Sequence, residues 1–437
     1  MRLGQPRRSQ PRRPRITESP NEKALRAAHW NKTDIANRDR FVEAYGADLR
    51  YLHRGGGWHT WNDGRWEKDV TDRAQALAAD AVKAWWADVA TAASAEEREI
   101  AAAHCLRSAH KPRLQAMLSL AAGHPRIALP PNAFDQNMWL LTTANCTVDL
   151  RTGATHAHRR SDLMSKRTPT AYDPRADCPR FLELLQLIFA GDQELIDFVQ
   201  RLAGYSATGS VQEQCLPFGW GGGANGKSTL LECFSMALGE YARTASPSLL
   251  MASRYESHPT EIADLMGARL VSTIEVEQER HLAEVKVKWL TGEKTLKARW
   301  MRQDFFEFTP THTFWLLGNH KPVVTGQDAA IWRRIYLIPF TVNLREKLGP
   351  DNLVRDYSAT LASELAGILA WIVRGAIDWH RDGLRPPAIV RAATESYRAE
   401  MDGVAQWLAE YCERGGPACR VPFGVLFTAY VASVGRE

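Results

Sequence analysis

Nine consecutive residues carry the densest chemistry in the chain: Gly221-Gly222-Gly223-Ala224-Asn225-Gly226-Lys227-Ser228-Thr229. Glycines at this spacing let successive backbone N–H groups turn inward around phosphate oxygens. A following lysine reaches the terminal phosphates, and a hydroxyl beside it can hold Mg²⁺. Gly221, Gly223, Asn225, Gly226, Lys227, Ser228 and Thr229 are therefore the candidate site for a nucleoside triphosphate, with ATP and Mg²⁺ as expected cofactors. The flanks fit: Cys215 to Trp220 predicts a short buried strand feeding the loop, and Ser228 to Leu238 a helix leaving it.

A phosphate loop needs a second acid to act on what it binds. The β-rich run Ala268 to Ile274 closes on Glu275, placed to sit beside Mg²⁺ and an attacking water, with Glu277 as the fallback. Thr313 to Gly318 is a second apolar run, closing on Asn319, whose amide can orient that water. Arg333 and Arg334 follow between Trp332 and Ile335, and one of the two is expected to stabilise phosphoryl charge at a neighbouring subunit. Between acid and amide lie Lys286, Lys288, Lys294, Lys297, Arg299, Trp300 and Arg302. The stretch Thr295 to Phe308 predicts two strands around a tight turn at Arg302-Gln303-Asp304. A basic near strand with an aromatic suits a grip on a sugar-phosphate strand, while a solvated hairpin face is the plainer alternative.

At 437 residues with 45% apolar content, the chain is long enough for about three domains with ample core. Residues 1–32 open with six arginines and no acid up to Ile16, predicting a disordered basic tail. A mixed α+β N-terminal domain is expected over 33–205. Within it, Trp58, Trp61 and Trp66 surround Asn62-Asp63-Gly64, a hairpin signal whose tryptophans read as the core of a small sheet in preference to base-stacking platforms. Ala74 to Ala121 predicts two or three helices, interrupted near Ala93-Ser94 and at Pro112, and Phe181 to Tyr205 a further helical stretch. The ATPase domain is expected over 206–345 and a helical C-terminal region over 346–413. Residues 414–437 resemble the opening of an incomplete winged-helix-like domain. No run of eighteen apolar residues exists, and the N-terminus lacks a secretory signal, so a cytoplasmic setting is expected and no membrane partner. Seven scattered cysteines without CxxC spacing predict reduced thiols.

The order GGGANGKST, RLVSTIEVE, KWLTGEKTLKAR, FEFTPTHTFWLLGNHKP and AIWRRIYLIPF resembles the phage and plasmid primase/helicase family, superfamily 3 helicases related to the poxvirus primase-helicase. The likeness continues upstream through DRFVEAYGADLRYLH and NCTVDLRTG and downstream through LAGILAWIVRGAIDW, covering most of residues 33–412. It implies an α/β fold with a P-loop AAA+ type ATPase core, assembled as a ring, usually a homo-hexamer, that hydrolyses ATP at subunit interfaces and moves on single-stranded or forked DNA. The setting it implies is replication of a phage, prophage or other mobile element in a bacterial host cell, alongside a separate primase. By position, Lys227 and Ser228 match the phosphate and Mg²⁺ ligands, Glu275 the acidic strand end, Asn319 the sensor, and Arg333 or Arg334 the trans-acting arginine. Lys288, Lys297, Arg299, Trp300 and Arg302 match the pore element, with Glu293 where the family usually has Asp. The alternative from another class is a non-enzymatic, degenerate prophage DNA-binding or assembly factor.

Overall fold

A computed structural model describes residues 33–53, 56–253, 259–274, 279–302, 304–348, 357–413, 415–416 and 419–434. The basic tail, Glu275, Glu277 and Gln303 lie outside them. The chain forms two compact units, 1–61 with 67–131, and 62–66 with 132–437.

In the first unit, helix α1 (Asp34–Tyr45) leads into strands β1 (Leu49–Leu52), β2 (Gly57–Asn62) and β3 (Arg65–Lys68), followed by α2 (Arg73–Ala84), α3 (Trp86–Thr91), α4 (Ala95–Ser108), α5 (Lys111–Ala122) and β4 (Ala128–Leu129). The sheet order is β3-β2-β1-β4. Asp63 and Gly64 both take positive φ, 48° and 88°, the conformation a two-residue hairpin turn demands. Trp58 is half-buried and packs edge-on against Tyr51 beside the core of this unit, whereas Trp66, which belongs to the second unit, is fully buried with its ring stacked on Phe134. Two helix breaks fall where expected, and a third, at Trp85, makes four helices where two or three were expected. Ser94 caps α4 by accepting from the Glu97 N–H, and Pro112 sits in the first turn of α5.

The second unit begins with a small sheet, β5 (Leu140–Thr142), β6 (Thr147–Asp149) and β7 (Thr155–His156), then α6 (Pro179–Ile188) and α7 (Gln193–Ala207). The single helical stretch expected over 181–205 is two helices, because Ala190 and Gly191 turn the chain through positive φ before Asp192 caps α7. Next come β8 (Leu216–Trp220), α8 (Lys227–Leu238), β9 (Ala242–Thr244), α9 (Pro259–Ala263), β10 (Leu270–Ile274), α10 (Glu284–Gly292), β11 (Leu296–Ala298), β12 (Phe306–Phe308), β13 (Thr313–Gly318), α11 (Ala329–Trp332) and β14 (Ile335–Pro339). The C-terminal part is helical: α12 (Leu344–Leu348), α13 (Tyr357–Ala362), α14 (Leu365–Asp382), α15 (Ala388–Glu400), α16 (Gly403–Tyr411) and α17 (Phe423–Val434).

The central sheet has the order β14-β8-β13-β10-β9, and every pairing in it is parallel. Parallel sheets are covered on both faces, which is why β13 reads as a continuous apolar run. Trp315 and Leu317 point into one core with α6, α7, α8 and α14, while Phe314 and Leu316 point into the other. The boundary expected at 205/206 is absent as a structural division, because α6 and α7 contribute Phe181, Phe198 and Leu202 to the core that covers the sheet. Helices α7 and α14 cross at bare backbone: a Cβ on Gly204 would sit 2.0 Å from Ala376 N, and one on Gly375 2.0 Å from Gln200 O.

Toward the end, α17 leaves Phe423, Val425 and Phe427 exposed, with Tyr430 edge-on to Trp407 of α16. All seven cysteines are free thiols. Among the described residues no helix is long and apolar enough to cross a membrane, and no cluster of His, Cys, Asp and Glu is arranged for a metal.

Candidate functional site: a glycine-rich loop at the carboxyl edge of the sheet

The glycine-rich loop leaves β8 at Trp220 and enters α8 at Lys227, at the carboxyl edge of a parallel sheet where such folds bind ligands. Its shape depends on residues far along the chain. Asn225 donates its side-chain N–H to Phe340 O (3.1 Å), and the Leu344 N–H donates to Ala224 O (2.8 Å). A Cβ on Gly221 would lie 2.1 Å from Phe340 O, so only glycine lets the loop pass there. Gly226, at φ 82°, turns the chain into α8.

Gly222 and Gly223 face open space where a Cβ would point. Helix α8 has no side-chain cap and no acid in its first turn, so its orphan N–H groups and positive dipole end are free to meet an anion. Ser228 is exposed in that turn and Thr229 half-buried.

Lys227 is 7% exposed. Its ammonium donates to Gly221 O (2.7 Å), Gly222 O (2.9 Å), Asn225 Oδ1 (2.9 Å) and Asn319 Oδ1 (3.2 Å). Every acceptor is neutral, and burial pulls the lysine down to about 8. The fourth bond joins two of the sequence candidates: Asn319 follows β13, the strand beside β8, and Gly318 pairs with Trp220 at the mouth of the loop. Strand β10 ends at the same edge, since Ile274 pairs with Leu317 and Leu317 with Gly219. Glu275 is the next residue and lies outside the described ones.

The two arginines have separate environments. They precede β14, whose Ile335 pairs with Leu216 and whose Pro339 pairs with Trp220. They therefore sit at the amino edge of the sheet, some five residues of strand, roughly 16 Å, from the glycine-rich loop of their own chain. Arg334 is 6% exposed and donates to Ala330 O (2.5 Å), Thr291 Oγ1 (3.1 Å) and Gln214 Oε1 (3.1 Å). Arg333 is exposed and donates to the same Gln214 oxygen at 3.0 Å. Sequence reasoning passed over Gln214, because a single glutamine ahead of a strand belongs to no motif.

The hairpin β11–β12 is antiparallel, pairing Leu296 with Phe308, Lys297 with Glu307 and Ala298 with Phe306. It is shorter than the run from Thr295 to Met301 suggested, and Arg302 stands at positive φ (61°) in the connecting loop. Lys297 and Arg299 both lie over the Phe305 ring, at 5.1 and 5.0 Å from its centroid. Trp300 stacks on Phe306, and Met301 and Phe305 are exposed at the tip. Lys288 is apart from this group: it sits on α10 with its ammonium 2.8 Å from Asp328, the residue that caps α11.

Residues 38–190 match the family model described as D5 N terminal like. The chain is 25% identical over 313 residues to "Putative helicase L207/L206" of Acanthamoeba polyphaga mimivirus, covering 66% of this chain and 32% of that protein. It is 25% identical over 328 residues to "Putative helicase 121R" of Invertebrate iridescent virus 3, covering 68% and 35%. The chain thus spans about a third of the length of these curated relatives. Among solved structures, the A form apo structure of the NrS-1 C terminal region superposes with a TM-score of 0.52 at 14% identity, covering 87% of this chain and 78% of that one. A second apo structure of the same region gives 0.53 at 12% identity, with 86% and 78% covered. At such identities the likeness concerns the fold, a mixed α/β architecture with a parallel sheet and helical regions. A D5-type amino-terminal region and two viral relatives carrying helicase names, beside this shared architecture, make the chain similar to phage-type primase-helicases.

Proposed function

We propose that this chain is an ATP-dependent DNA helicase that serves replication of a phage or other mobile element in the cytoplasm of a bacterial host. The proposed motor is a P-loop AAA+ type core working as a ring, most simply a homo-hexamer, on single-stranded or forked DNA. The observation that carries this reading is the convergence on Lys227. A buried ammonium, an open glycine cradle, an uncapped helix start and the Asn319 amide from the neighbouring strand meet at one point.

The donor set suits a nucleoside triphosphate and its Mg²⁺. The N–H groups of Gly223 to Lys227 would surround the phosphates, Lys227 would exchange its carbonyl acceptors for phosphate oxygens, and Ser228 and Glu275 would serve Mg²⁺. When bound, the metal neutralises charge on the phosphoryl group being transferred. Asn319 orients the lytic water from the strand next to the loop. Arg333 is assigned as the arginine acting in trans: it is exposed, and it stands at the sheet edge opposite its own loop, where it can serve only a neighbour's phosphates. Arg334 is the structural member of the pair, held by three acceptors. Lys297, Arg299, Trp300 and Arg302 form the DNA-gripping face, and Lys288 supports the segment that leads to Arg333 through Asp328.

Lys227→Ala is expected to lower ATP turnover by about a hundredfold or more and to abolish strand displacement on forked DNA. Wild-type turnover in that variant would refute the site. DNA binding with no ATPase in the native chain would favour the DNA-binding assembly factor instead.

A further inference from the structure

We infer that Gln214 is a positioning residue for Arg333 and that, with Arg334 and Thr291, it forms the joint through which the basic hairpin bears on that arginine. The inference rests on the proposed function, which makes Arg333 the group offered to the neighbouring subunit.

One oxygen holds both guanidinium groups. Gln214 Oε1 accepts from Arg333 Nη2 at 3.0 Å and from Arg334 Nη2 at 3.1 Å. Gln214 itself is fixed by an unusual backbone, at φ 50° two residues ahead of β8, with its N–H on Val211 O at 3.1 Å. A non-glycine residue in the left-handed region persists only where its surroundings hold it there. Arg334 then reaches in the other direction. Its Nε donates to Thr291 Oγ1 at 3.1 Å, while the Thr291 hydroxyl donates to Val287 O at 2.7 Å, one turn earlier in α10.

The next residue, Gly292, packs so closely on the pair that a Cβ there would lie 2.7 Å from Arg334 Nη2 and 3.4 Å from Gln214 Nε2. Gly292 ends α10, and β11 begins at Leu296. Displacing the hairpin along its strand therefore pulls on the end of α10, which is keyed to Arg334, which shares its acceptor with Arg333. No part of this chain of contacts is longer than a hydrogen bond or a van der Waals contact.

The chemistry of the acceptor matters as much as its place. A carboxylate at 214 would form a charge-assisted, bidentate partner and cancel the charge Arg333 must present to phosphate. A neutral amide orients the guanidinium through an ordinary hydrogen bond and leaves the full positive charge available.

The test uses the full chain as Gln214→Ala, Gln214→Glu, Arg333→Ala and the Gln214→Ala/Arg333→Ala double variant. ATPase kcat and KM are measured with and without saturating single-stranded DNA, along with affinity for a fluorescent ATP analogue. Gln214→Ala is expected to lower kcat by about tenfold to a hundredfold, the usual consequence of a misplaced group. KM and analogue affinity should stay within about twofold, because the loop lies at the other edge of the sheet, and stimulation by DNA should disappear.

The double variant should be no slower than Arg333→Ala, because residues acting as one unit are non-additive. Gln214→Glu keeps shape and acceptor, so it guards against a folding defect, and its kcat should also fall. Losses that multiply in the double variant, wild-type kcat in Gln214→Glu, or preserved DNA stimulation in Gln214→Ala would each overturn the joint. Arg333→Ala with wild-type turnover would remove the underlying functional reading as well, whereas an inactive Arg333→Ala beside an intact Gln214→Ala would remove this inference alone.

Discussion

Acidification should destabilise this chain through one histidine that the chemistry does not use. His312 precedes β13 and is 3% exposed, with its ring edge-on to Phe314 at 4.9 Å. Burial pulls it down from 6.5 to about 4, against a smaller opposing pull from the Leu290 backbone. The folded state therefore keeps the ring neutral while the unfolded chain takes up a proton below 6.5. Stability is full above that value and is lost as pH falls from 6.5 toward 4, because the unfolded state binds more protons in that window. At 1.36 kcal/mol per pH unit of differential protonation, this single group should cost about 2 kcal/mol between pH 7 and pH 5, and about 3 kcal/mol at the acid limit. Urea titrations followed by tryptophan fluorescence at both pH values would measure it, comparing the wild type with His312→Phe, which keeps a ring and removes the titration. The variant should lose about 2 kcal/mol less than the wild type on going to pH 5. If both chains respond to acid equally, the neutral buried ring is not the source.

Replacing Lys297, Arg299 and Arg302 together by alanine should weaken single-stranded DNA binding and reduce the slope of log affinity against log salt by about two. Fluorescence anisotropy across a salt series would show it, and an unchanged slope would take the hairpin out of the DNA interface. Gly375→Ala should destabilise the chain by about 1–3 kcal/mol, since the new methyl would meet the Gln200 carbonyl at the α7–α14 crossing. A thermal melt is sufficient, and an unchanged midpoint would show that the two helices part without cost.

What the sequence disclosed, and what it withheld, follows from the range of the interactions concerned. The glycine-rich loop, the strand before it and the helix after it were legible because their signals are local: glycine spacing, an apolar run and helical periodicity lie within a few residues of one another. The apolar character of β13 likewise betrayed a strand covered on both faces. The break between α6 and α7 was missed, because Ala190 adopts positive φ without being a residue type that advertises it. The absence of a division near 205 was invisible for a different reason. Whether Phe198 and Leu202 belong to the sheet's core depends on α14, which arrives some 170 residues later. The two arginines looked equivalent in the string Trp332-Arg333-Arg334-Ile335, and only the acceptors Ala330 O and Thr291 Oγ1, which Arg334 alone reaches, tell them apart.

The anchoring of the glycine-rich loop to Phe340 and Leu344 has a mechanical corollary. Strand β14 starts immediately after Arg334 and delivers Phe340 straight to the loop, so one stiff member joins both ends of the proposed chemistry. Its side chains are packed into cores on either side, which leaves it little freedom to flex along its length. In the proposed ring, a shift imposed on the cradle by its cargo should reach the opposite rim nearly undiminished, so each subunit would report its own occupancy to the next through a pushrod rather than through a signal that fades.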